Sequence, residues 1–221
     1  MKVCTDACIF GAYVAASLKD IVSEKTHVLD IGAGTGLLSL MIAQETAAEV
    51  DAIEIGGSAF QQARENFEAS PWKERLQVFH GDVTQFNFSK KYDQIISNPP
   101  FFADDLISDN EQSNQAKHDL SLTLKDLVKT VNVLLKEGGV FWILLPFHRL
   151  DYFVKEAGVT GLYPVQKLLI RHSKDHPYFR GILALSKNKT VNKKKEFIIK
   201  TSNGIYTAAF IELLGDYYLN L

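Results

Sequence analysis

The chain is short of several things, and each shortage removes a class of protein from consideration. Its 221 residues include only two cysteines, Cys4 and Cys8, with no second pair at metal-ligand spacing. A disulfide framework and a structural zinc site are therefore not expected, and free, mostly buried thiols fit a reducing compartment. Long apolar runs are also missing. The longest, residues 140–145, is too short to span a bilayer, and no basic-then-apolar leader opens the chain. The expectation is a soluble cytoplasmic protein without membrane or metal partners. Net charge is only −2 at pH 7, so no overall excess of one sign points to nucleic acid.

Against these absences, 46% of the residues are hydrophobic, enough to bury a substantial core in one domain of 1–221. Within it we expect an N-terminal lead and helix (1–25), a central core (26–146) and a C-terminal third (147–221). The charge is unevenly spread. Residues 167–200 carry a net +8, which leaves −10 on the rest. Such a polarised chain can turn a basic face to phosphates, although the lysines of 187–195 taken alone also fit a solvated loop.

The most informative stretch is Asp30-Ile31-Gly32-Ala33-Gly34-Thr35-Gly36. It ends one apolar run and opens a helical pattern, so it reads as strand, tight turn, helix. Glycines there let a ligand lie on the backbone, and the helix start offers N–H groups. The dinucleotide fingerprint is spaced G-x-G-x-x-G, whereas Gly32, Gly34 and Gly36 are spaced G-x-G-x-G behind an acid. An acid repels a diphosphate and attracts the ammonium of an amino acid, which favours S-adenosylmethionine over NAD. Glu54 ends the next apolar stretch, where a carboxylate can accept both ribose hydroxyls. Asp82 follows the third, beside Val83, placed to accept from an adenine amino group. The alternative for each acid singly is a helix cap.

A second motif, Asn98-Pro99-Pro100-Phe101, follows the strand-like 92–97. An exocyclic amine is a poor nucleophile while its lone pair is delocalised into the base, so its hydrogens need acceptors. The Asn98 side-chain oxygen and the Pro99 carbonyl are suited to this, the prolines offer no competing N–H, and Phe101 can stack on the base.

Taken in order, the chain predicts a helix over 7–18 capped by Thr5 or Asp6, and strands at 27–30, 49–54, 76–80 and 92–97 with a helix at 59–69. A polar stretch over 103–119 reads as a substrate lid. Beyond it come a helix over 121–136 stopped by Gly138-Gly139, a strand at 140–145 and a helix over 149–157. Two or three strands (164–171, 179–186, 196–200) and a final helix from about 207 complete the chain. The alternation implies an α/β fold, Rossmann-like, with a mostly parallel seven-stranded sheet, a reversed C-terminal hairpin and helices on both faces.

With these residues assembled, the chain resembles the class I S-adenosylmethionine-dependent methyltransferases that act on exocyclic amines. More closely it resembles the bacterial tRNA1(Val) (adenine-37-N6)-methyltransferase family. The resemblance runs over nearly the whole chain. It rests on Met1-Lys2-Val3 with Thr5-Asp6-Ala7, the glycine motif through Leu37-Leu38, Glu54, Ser70-Pro71-Trp72, 95–101, Tyr206-Thr207 and Tyr217-Tyr218-Leu219. Family members carry a further segment before Met-Lys-Val, Cys4 departs from the residue expected there, and the 187–195 loop looks lineage-specific.

The resemblance implies methyl transfer from S-adenosylmethionine to adenine N6 in tRNA, at position 37 of tRNA-Val in the anticodon loop. Cofactor contacts fall on Thr5, Asp6, Asp30, Gly32, Ala33, Gly34, Gly36, Glu54, Asp82, Val83 and Asn98, and the target amine on Asn98, Pro99, Pro100 and Phe101. RNA contacts are expected at His172, Lys174, Arg180, Lys193, Lys194 and Lys195. Rival readings are a guanine N2 of ribosomal RNA, a release-factor glutamine, or a silent RNA-binding module.

Overall fold

Short apolar runs alternating with helical segments give alternating strands and helices. The computed structural model describes residues 4–19, 21, 23–100 and 122–219. Helix α1 (Thr5–Leu18) is followed by β1 (His27–Ile31), α2 (Leu37–Glu45), β2 (Glu49–Glu54), α3 (Gly57–Ala69), β3 (Leu76–His80) and β4 (Tyr92–Ser97). The second half contains α4 (Leu124–Leu134), β5 (Leu135–Pro146), α5 (Leu150–Val159), β6 (Tyr163–Arg171), β7 (Tyr178–Ser186), β8 (Lys193–Ile198) and α6 (Ala208–Leu214). Phe101, Met1-Lys2-Val3 and the expected lid at 103–119 lie outside the described residues.

The strands form one sheet in the order β3-β2-β1-β4-β5-β7-β6-β8. The first five strands are mutually parallel, β7 runs antiparallel to both β5 and β6, and β8 is parallel to β6. The reversed hairpin is thus β6–β7. Eight strands replace the expected seven because Lys193–Ile198 docks on the β6 edge. It begins three residues before the strand expected at 196–200, its run of exposed lysines hiding that start, and it is anchored by the buried Phe197 near its far end. Charged edge strands of this kind resist pairing with other chains.

Two cores sandwich the sheet. Val28, Val50, Ala52, Ile96, Trp142 and Leu144 meet α1, α2 and α6 on one face. Leu29, Ile31, Ile53, Ile95, Phe141 and Ile143 meet α4 and α5 on the other. Burial on both faces explains why the parallel strands read as continuous apolar runs. Among the described residues no helix is long and apolar enough to cross a membrane.

Two local expectations are corrected. Helix α1 begins two residues earlier than expected, at Thr5 rather than Ala7, with Cys4 at the N-cap position and no side-chain cap; Asp6 Oδ1 instead accepts from the next N–H, that of Ala7. The helix expected over 121–136 ends at Leu134, and Gly138 and Gly139 belong to β5, because Leu135 already pairs with Tyr92. Gly139 is needed there for close approach: a Cβ would collide with the Asp93 carbonyl.

Candidate active site

In a parallel sheet the loops that follow the strands gather at one edge. Ile31 is level with both Ile53 and Ser97, so the ends of β1, β2 and β4 lie side by side. The strand order then sets Asp82, Glu54, the glycine turn and Asn98 in a row across β3, β2, β1 and β4. Three strand gaps span about 14 Å, enough for a nucleoside bearing an amino-acid chain.

Gly32, Gly34 and Gly36 all have positive φ, at 73°, 59° and 82°, a region that L residues with side chains avoid. Their surroundings differ. A Cβ on Gly32 would meet nothing within 4 Å, so this position is open toward a ligand, whereas one on Gly36 would strike the Phe67 ring. Gly36 therefore serves the packing of α3 rather than ligand approach. The backbone N–H groups of Gly32 and Ala33 donate to Ile53 O, and that of Gly34 donates to Glu54 Oε2 at 2.8 Å. The turn is held by β2 and presents little free N–H.

The three acids are not alike. Asp30 is fully buried, and Ser39 Oγ donates to its Oδ2 at 2.7 Å while Oδ1 is buried without a partner. Desolvation chiefly, opposed by the Ser39 hydrogen bonds and reinforced by the nearby Glu54 charge, pushes its carboxyl up to about 7. Glu54 accepts from Gly34 N at one oxygen and from Gly56 N at the other, both at 2.8 Å. About two of its acceptor sites remain for further donors, since a carboxylate offers about four. Asp82 accepts from Thr84 N and Oγ1 and from Gln85 Nε2, the capping arrangement weighed as its alternative.

Asn98 stands at the end of β4, where Ser97 Oγ pins the strand by donating to Ile31 O at 2.9 Å. The Asn98 Oδ1 atom is buried and, among the described residues, has no hydrogen-bond partner. Such an orphaned acceptor costs free energy unless something donates to it. Pro99 is buried behind it and Pro100 is exposed.

Of the remaining expected residues, Asp6 Oδ2 accepts from Arg180 Nε at 2.8 Å, joining the first turn of α1 to β7. Thr5 hydrogen-bonds Tyr218, which also contacts Cys8. His172 and Lys174 are exposed beside β7, at the same edge as Asn98, while Lys193, Lys194 and Lys195 lie on β8, four strands from β4. The edge and the β8 lysines are therefore not one patch. Sequence reasoning missed Ser39, whose signal was a hydroxyl on the helix following the acid. Ile55 is 49% exposed immediately after Glu54, and its carbonyl lies 3.1 Å from His80 Nε2. Among the described residues no group of three or more His, Cys, Asp or Glu is placed to hold a metal ion.

Comparison with known proteins agrees with this geometry. The methyltransferase small domain family matches residues 12–153. A tRNA1(Val) (adenine(37)-N6)-methyltransferase of Dyadobacter fermentans is 40% identical over 99% of this chain and 91% of its own length. The protein of the same name from Cytophaga hutchinsonii is 38% identical over 100% of this chain and 92% of its own. In fold, the chain is similar to the crystal structure of a predicted O-methyltransferase from Agrobacterium tumefaciens, with a TM-score of 0.69 at 16% identity over 97% of this chain and 99% of that one. By near full-length identity and by the architecture of its strand edge, the chain belongs to the tRNA1(Val) (adenine(37)-N6)-methyltransferase family.

Proposed function

We infer that this protein transfers a methyl group from S-adenosylmethionine to the N6 of an adenine in tRNA, and that the target is adenine 37 in the anticodon loop of tRNA-Val. The observation that carries the reading is the buried, partnerless Asn98 Oδ1 at the end of β4, one strand from the glycine turn, in a chain this close to relatives named for that reaction.

S-adenosylmethionine supplies an electrophilic methyl on a sulfonium. Asp30 Oδ1 is an acceptor for its ammonium, whose positive charge favours the ionised carboxylate, Gly32 leaves room for its chain, and Glu54 accepts from its ribose. Ile55 and Val83 flank its base, with Asp82 at the amino group. Thr5 and Asp6 close the amino-acid end from α1. Asn98 Oδ1 and the Pro99 carbonyl accept the two hydrogens of the target amine, which localises its lone pair, and Phe101 stacks on the ring. Because the proton leaves after nitrogen has become cationic, no strong base is required, and the protein's part is alignment in a desolvated cleft. An anticodon-loop base is unpaired and is splayed out at modest cost. A tRNA substrate also accords with the expected cytoplasmic location.

The test is transfer of radiolabelled methyl to unmodified tRNA followed by nucleoside analysis. N6-methyladenosine mapped to position 37 of tRNA-Val is the expected product. Label in guanosine, or only in a release factor when one is supplied, would overturn the substrate.

A further inference from the structure

Ser97 is level with Ile143 on the neighbouring strand β5, which runs on to Pro146, and Phe147 follows directly after its end. Phe147 is 41% exposed, an unusual place for a phenylalanine on a rigid element. It has an aromatic neighbour from the reversed hairpin. Tyr178 packs against the core on one face of the sheet and Phe179, the next residue, against the core on the other. Tyr178 meets Phe147 with ring centroids 5.4 Å apart, and Phe179 stacks on His172 on the other face. The Tyr178 ring is fixed: its hydroxyl donates to Glu196, which also pairs with Arg171, and the Arg171 guanidinium covers the ring at 5.2 Å. Gly181, two residues on from Phe179, leaves room for Leu150, which seats α5 directly behind this surface.

We propose that Phe147 and Tyr178 form a stacking ledge for the unpaired nucleotide next to the target base. The ledge follows the end of β5, the strand next to β4 and its amine-binding turn. Its ring is dressed with an arginine rather than with acids alone, which suits a planar group that carries phosphate. The proposal rests on the RNA reading above and adds to it a residue that positions the substrate and takes no part in the chemistry.

The test uses the full-length protein and an anticodon stem-loop RNA with 2-aminopurine next to the target adenine, read by anisotropy and by fluorescence quenching. Phe147→Ala and Phe147→Leu should each weaken RNA binding about ten-fold and abolish the quenching, by the usual worth of a base–aromatic stack. Phe147→Tyr should retain both, and all three should bind S-adenosylmethionine as the wild type does. Unchanged binding and quenching in Phe147→Ala overturns the ledge, as does full rescue by leucine, which keeps apolar area without a ring. Failure of the wild type to bind this RNA also overturns it. Because binding is read without turnover, an RNA that is bound and quenched yet never methylated retires the proposed reaction while leaving the ledge standing.

Discussion

Asp30 shows how one residue type at one position serves both fold and ligand. Half of its carboxylate is spent on the Ser39 hydroxyl, and the other half is buried with nothing among the described residues donating to it. With its carboxyl at about 7 in the fold against 3.8 for the unperturbed group, the native chain between those pH values holds a proton that the unfolded chain has released. Stability therefore falls as pH rises through that window, at up to about 1.4 kcal/mol per pH unit. Asp30→Asn has no proton to lose. Urea midpoints at pH 5 and pH 7.5 should converge in the variant relative to wild type, by on the order of 2 kcal/mol. Parallel losses in both proteins would mean that Asp30 is ionised in the folded chain throughout. Sequence showed only that a hydroxyl sits on the helix following the acid; helical spacing does not reveal which strand-end oxygen a first-turn hydroxyl will reach, so the partnership itself was not legible.

At the scale of elements, the glycine turn divides labour among residues that sequence treats as equivalent. Gly32 faces open space and Gly36 faces the Phe67 ring. Gly36→Ala should thus destabilise the fold by about 1–3 kcal/mol, through a left-handed backbone and a displaced ring, and leave cofactor affinity in the surviving folded protein nearly unchanged. Gly32→Ala carries similar backbone strain and should in addition weaken S-adenosylmethionine binding at least ten-fold, as its methyl enters the ligand's space. Denaturant titration and calorimetry on both variants separate the two effects; equal losses of affinity would show that Gly36 also touches the ligand. The parallel strands and their helices were legible because burial on both faces leaves continuous apolar runs. The start of β5 was not, because Leu135 pairing with Tyr92 overrides two glycines that locally read as a stop.

For the molecule as a whole, the polarised charge seen in sequence is partly cancelled in space. Lys167 pairs with Asp151, Arg180 with Asp6 and Lys187 with Glu137, each joining the basic stretch to an acid outside it. Linear counting cannot see such pairings, and it likewise merged the β8 lysines with the edge residues His172, Lys174 and Arg180. What sequence did place correctly is the row of strand ends. Asp30, Glu54, Asp82 and Asn98 were marked as successive strand-end positions, and the order β3-β2-β1-β4 sets them side by side. The family relationship follows from the same stretches.

The central claim is that Asn98 accepts the target amine while the neighbouring strands hold the donor. It is tested most directly by measuring turnover on unmodified tRNA and S-adenosylmethionine affinity for wild type and Asn98→Ala side by side. The account predicts a loss of turnover of roughly 100-fold or more, the scale of removing one aligned hydrogen-bonding group from a transition state, with cofactor affinity within about three-fold. Comparable losses of turnover and affinity would contradict it and make Asn98 a structural residue of the β4 end.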